Sequence, residues 1–127
     1  MLSARAGFTI VEVIVALLIL TTAVLGLAGS ATQLTTAAAG AERRAQALYA
    51  ADDRIGRVEL DGRYADLDSL YAGVENDVPI AGFTRTTTVE HVDITDPDPL
   101  DYKVVTVVVT GPGLPSPIER SRVVAAP

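Results

Sequence analysis

Residues 8–29 read Phe-Thr-Ile-Val-Glu-Val-Ile-Val-Ala-Leu-Leu-Ile-Leu-Thr-Thr-Ala-Val-Leu-Gly-Leu-Ala-Gly, and this run constrains the fold more than any other feature of the chain. Between Ala6 and Ala41 the only charged residue is Glu12. A helix rises ~1.5 Å per residue, so a run of this length crosses a ~30 Å hydrocarbon core. Arg5 precedes it and no basic residue follows until Arg43. That bias predicts residues 1–7 inside and the remainder outside.

The helical pattern does not stop at residue 29. No Pro occurs before Pro79, so nothing in the backbone forbids continuation. Ala41, Ala45, Leu48, Ala51, Ile55 and Val58 recur at three/four spacing, which makes one apolar stripe. Glu42, Arg43, Arg44, Asp52, Asp53, Arg54 and Arg57 fall largely elsewhere around the helix. The pattern predicts one helix over residues 8–60, on the order of 80 Å long. Gly26, Gly29 and Gly40 each weaken it by about 1 kcal/mol relative to Ala, marking points of bending or local melting. Asp61-Gly62 is the expected stop.

Past the helix the signals change. Residues 62–81 read as a loop with a short helical turn near 65–71. Residues 83–94 are rich in Thr and Val, and 102–110 (Tyr-Lys-Val-Val-Thr-Val-Val-Val-Thr) form the strongest strand signal in the chain. Residues 118–125 make a third strand. Pro- and Gly-rich connections at 95–99 and 111–115 have loop chemistry. The fold class expected is α+β, with a three-stranded antiparallel meander packed on the C-terminal half of the helix. The run 104–109 is expected to be a buried strand. The organisation reads as residues 1–7, a short leader; 8–29, the membrane-length segment; 30–60, the outer half of the helix; and 61–127, a β domain.

Composition excludes several classes. The 127 residues carry a net charge of −6, which gives no electrostatic reason to bind nucleic acid. With no Cys there is no disulfide framework and no thiolate metal site. The single His, His91, has no second His or Cys to complete a dyad or a metal site, and reads as a surface or strand-edge residue. No nucleophile elbow and no phosphate-cradling Gly-rich loop is present.

The residues Gly7-Phe8-Thr9-Ile10-Val11-Glu12 resemble the cleavage and methylation motif of the type IV pilin-like family: Gly, Phe, Ser or Thr, two aliphatics and a Glu, opening an apolar helix. More loosely, residues 45–59 look like the end of the long helix in I-type minor pseudopilins of type II secretion and in V-type minor pilins. The resemblance implies cleavage between Gly7 and Phe8 by a membrane-embedded prepilin peptidase and N-methylation of Phe8. It implies partners too: other major and minor pilins or pseudopilins in a filament, and an inner-membrane assembly platform. The chain would then be a structural subunit and not an enzyme, first a single-pass inner-membrane protein with its C-terminal domain in the periplasm. Gly7, having no side chain, lets a protease approach the backbone closely. A carboxylate inside an apolar helix costs roughly 2.5–3.5 kcal/mol or more. The resemblance implies that Glu12 is offset by the new amino terminus of a neighbouring subunit, which also sets axial register.

Two other readings stand beside this one. An ordinary signal sequence cut near Ala28-Gly29-Ser30 would leave a membrane-tethered or secreted binding module; against it stand the length of the apolar run, beyond the usual ~7–15 residues, and the Glu inside it. Asp93, Asp96, Asp98 and Asp101 crowd one loop, and hard oxygen ligands at such spacing suit Ca²⁺. Some major pseudopilins hold Ca²⁺ in a loop of this region. No EF-hand pattern occurs and Pro97 and Pro99 stiffen the segment, so a solvated acidic hairpin loop is the preferred reading, and no cofactor is expected.

Overall fold

The computed structural model describes residues 7–95 and 100–127. Its first element, α1, is one α-helix over Ile10–Leu60. The chain divides into two compact units at Ala39/Gly40, so α1 contributes to both.

In the first unit every described residue from 7 to 39 is exposed. The most apolar window of α1 has a mean hydropathy of 2.6 and none of it is buried, so the helix is long and apolar enough to cross a membrane once. Its hydroxyls are satisfied locally. Thr21 Oγ1 donates to Leu17 O, Thr22 to Leu18 O at 3.0 Å, Ser30 Oγ to Gly26 O at 3.1 Å and Thr36 to Thr32 O at 3.0 Å. Such bonds to the preceding turn let Ser and Thr sit in an apolar helix without unmet polarity. The local melting expected at Gly26, Gly29 and Gly40 does not occur: α1 stays α-helical through all three.

In the second unit, residues 40–60 of α1 carry a four-stranded sheet. A 3₁₀ turn (Tyr64–Asp66) leads into α2 (Leu67–Tyr71), followed by β1 (Gly73–Asn76), β2 (Thr84–Ile94), β3 (Leu100–Thr110) and β4 (Ile118–Ala125). The strands are antiparallel in the order β1-β2-β3-β4. The expected meander is therefore present with one more strand than expected. Gly-Val-Glu-Asn carries little strand propensity, and β1 exists by pairing with Thr84–Thr87 of β2.

The core lies between one face of the sheet and α1. Val105, Val107 and Val109 are wholly buried against Ala47, Ala50, Ala51, Ile55 and Val58, with Leu67, Phe83 and Ile118 completing the cluster. Each buried Val contributes about 1.5–3 kcal/mol relative to exposure, so β3 is the main anchor of the sheet. Two expectations need correction. Ala41 and Ala45 are exposed, and the packed stripe begins at Ala47. Nor is 104–109 buried throughout: Val104 and Val108 are half-buried on the outer face, because side chains alternate along a strand with one covered face.

Charged groups also pin the sheet to the helix. Arg85, on the inner face of β2, is 7% exposed. Its Nε and Nη2 donate to Glu75 of β1 at 2.8 and 3.1 Å, and its Nη1 to Ala50 O of α1 at 3.0 Å. Those bonds hold the Glu75 carboxyl below its usual range. Arg54 does not point to solvent with the other charges of α1. Its Nη2 donates to Tyr71 O at 2.9 Å and its Nε to Thr87 Oγ1 at 3.3 Å, with the guanidinium 5.0 Å from the Tyr71 ring centre. Burial lowers its pKa. Lys103 Nζ donates to Asp68 Oδ1 at 2.7 Å and to Ala65 O at 3.0 Å, fastening the 3₁₀ turn and α2 over the other end of β3.

Candidate functional site

The start of α1 brings together the residues the sequence singles out. Gly7, Phe8 and Thr9 precede the first helical residue, Ile10. Thr9 Oγ1 accepts the Glu12 N–H at 3.3 Å, and Thr9 O accepts the Val13 N–H at 3.2 Å. Thr9 is thus the N-cap, and Thr-Ile-Val-Glu has the spacing of a capping box. Only half of that box forms: the Glu12 side chain accepts no hydrogen bond and makes no ion pair among the described residues. The role of Thr9 was readable from the Thr-x-x-Glu spacing.

Phe8 stands one residue before the cap and is 85% exposed, although it is large and apolar. With Glu12, Val13, Ala16, Leu17 and Leu20 it lines a surface hollow of about 350 Å³. The carboxylate of Glu12 therefore opens onto a wall of aliphatic and aromatic groups. Among the described residues this arrangement holds no cation: a carboxylate among apolar groups is costly unless paired, and its position in the first turn favours negative charge by only about 0.3–1 kcal/mol. Residues 1–6, including Arg5, lie outside the described residues.

The acidic loop is only partly described, since Asp96 and Asp98 also lie outside the described residues. Asp93 and Asp101 face each other in the β2–β3 register. Asp101 is already engaged: it accepts the Tyr64 hydroxyl and its Oδ1 lies 2.8 Å from His91 Nε2. The bonds from Tyr64, then His91, hold its carboxyl below the usual range. Tyr64 is in turn pushed up to about 12, first by burial and then by its bond to Asp101. His91 is exposed, with its ring edge-on to Tyr64 at 6.4 Å. Among the described residues no group of three or more His, Asp or Glu is placed to hold a metal ion.

No protein-family model, curated protein or solved structure matches the chain.

Proposed function

We propose that this chain is a structural subunit of a type IV pilin-like filament, a minor pilin or minor pseudopilin, and not an enzyme. Prepilin peptidase cuts it between Gly7 and Phe8 and methylates the new amino terminus, and the chain waits in the inner membrane with residues 30–127 on the periplasmic side. It then enters a filament with major and minor relatives at an inner-membrane assembly platform. Apolar surface stays out of water in both places, so the transfer of residues 8–29 from lipid to filament is favourable.

The observation that carries this reading is Glu12: a carboxylate without a cation among the described residues, on a membrane-length helix, directly after Gly7-Phe8. The cation that suits it is the amino terminus of a neighbouring subunit, which would fix register because any other stagger leaves the charge unpaired. The continuity of α1 through Ala28, Gly29 and Ser30 gives no support to a signal-peptide boundary there. The decisive experiment is the intact mass of the full chain co-expressed with a prepilin peptidase. A mature chain beginning at N-methylated Phe8 is the expected result. A chain beginning near Ala31 would make it an ordinary secreted or tethered binding module and end the filament reading.

A further inference from the structure

The two edges of the sheet are treated differently. On one side β1 covers β2 from Thr84 to Thr87, and α2 packs against β2 as well. On the other side β4 runs its full eight residues with no described strand paired to its outer edge, where the Glu119 carbonyl accepts from Arg120 Nη1 at 3.3 Å. The Ala126 N–H donates to Asp101 O at 3.0 Å, continuing the β3–β4 ladder through the even-numbered residues. Backbone groups alternate along an antiparallel strand, so those of Glu119, Ser121, Val123 and Ala125 face away from β3. All four residues are exposed. Such a row is a template for strand addition.

We propose that β4 is a docking edge for an extended strand of another protein, one that alternates apolar residues on the outer face with acidic residues on the helix-facing side. The side chains of β4 specify that chemistry. Arg120 and Arg122 lie on the helix-facing side, opposite Val107 and Val105, and remain 46% and 61% exposed. Arg122 makes one bond, from Nε to Glu59 Oε1 at 2.7 Å; Arg120 makes two, from Nε to Asp52 Oδ1 at 3.0 Å and from Nη1 to Glu119 O at 3.3 Å. A guanidinium has five N–H donors, so both retain capacity for a carboxylate on a neighbouring strand. On the outer face Val123 is 62% exposed and continues the row from Val104, while Ala125 continues the row from Val92 and Tyr102. An apolar residue beside each would extend a surface that now ends at the edge.

A second copy of β4 does not fit this edge. The two antiparallel registers that keep β4 fully paired with itself, centred on Ser121 and on Arg122, set Arg120 against Arg122 or Arg122 against Arg122. Like charges directly opposite are destabilising. The inference concerns residues 40–127 alone and is independent of how α1 assembles.

The test uses the full chain in detergent micelles and fluorescently labelled eight-residue peptides of alternating Val and Glu, or Val and Lys. The Val/Glu peptide is expected to bind several-fold tighter than the Val/Lys one. It should slow amide exchange at Glu119, Ser121, Val123 and Ala125 several-fold while leaving the even-numbered amides of β4 unchanged. Val123→Pro removes an outward N–H without touching the β3 ladder, and should abolish binding with near-ultraviolet circular dichroism intact. Arg122→Glu should reverse the peptide preference. Equal binding of both peptides, or no protection of the four amides by either, overturns the proposal. Concentration-dependent protection of those amides in the protein alone assigns the edge to a second copy and overturns it as well.

Discussion

Thr9→Ala and Glu12→Gln separate two roles that share one turn of helix. Thr9 Oγ1 holds the Glu12 N–H at 3.3 Å, a long bond, so its loss belongs at the lower end of the ~0.5–2 kcal/mol range for N-caps. Gln at position 12 keeps the size and the capping-box residue type and removes only the charge, which as a helix-dipole effect is worth about 0.3–1 kcal/mol. Neither local effect exceeds ~1 kcal/mol, or roughly a factor of five. Losing the carboxylate from a desolvated pair is larger: it leaves a charged amine buried alone, at a cost of about 2–5 kcal/mol. Taking ~3 kcal/mol, Glu12→Gln should reduce filament yield on the order of 10²-fold, and Thr9→Ala by less than about fivefold. The assay is the yield of sheared filaments from the full chain, normalised to cleaved protein in the membrane by mass spectrometry. Amide exchange at Glu12 and Val13 reports the cap independently. If Thr9→Ala loses as much filament as Glu12→Gln, the carboxylate acts only by starting the helix, and the pairing argument fails.

Three further predictions concern residues 40–127, which hold all four Tyr, so the tyrosine band of the near-ultraviolet circular dichroism follows this unit alone. A Cβ on Gly111 would sit 2.5 Å from Phe83 Cδ1, and Phe83 is 1% exposed. Gly111→Ala should therefore destabilise by about 1–3 kcal/mol in urea unfolding, and Phe83→Leu should absorb part of that, with additivity of the two refuting the clash. The Glu75 carboxyl is held below its unfolded value, so its stabilisation is present above the unfolded pKa and fades as pH falls through the folded one. Glu75→Gln should flatten the acid limb of the melting-temperature profile, and an unchanged limb would exclude Glu75 from it. Asp101→Asn should bring the ultraviolet titration of Tyr64 down only part of the way from about 12, because burial, the largest single cause, remains; a return to 10 would exclude burial as a cause.

The elements legible in the sequence are those whose period carries them. The apolar run and the three/four spacing after it place α1 within two residues of its observed start and at its observed end. Residues 118–125 coincide with β4, and the Val-Thr run marks β3. What the sequence hides depends on pairing. Gly-Val-Glu-Asn becomes β1 because Glu75 meets Arg85 across the ladder, a contact no local pattern encodes. Arg54 looks like a solvated charge until Tyr71 and Thr87 are seen beside it. The stripe on α1 shifts from Ala41 and Ala45 to Ala47 and Ala50 because small residues are apolar on any face, and only the position of the sheet decides which are covered. Thr9 differs from these: its cap is written in the spacing to Glu12.

The polar groups of the membrane-length run divide by what satisfies them. The hydroxyls of Thr21 and Thr22 return to carbonyls in the preceding turn, and Thr9 is consumed by the helix start. Each is complete within the chain, so none of them asks for a neighbour. Glu12 is different in kind. Its backbone N–H is capped, its side chain has no partner among the described residues, and it lines a hollow with Phe8, Val13, Ala16 and Leu17. A helix that needed only to cross lipid would be more stable with Ala at this position, since Ala has no charge to desolvate and the best helix propensity. The energetic penalty of Glu12 is what the proposed filament role would offset: on that proposal the amino terminus of an adjoining subunit would supply the sign and the register of the missing partner.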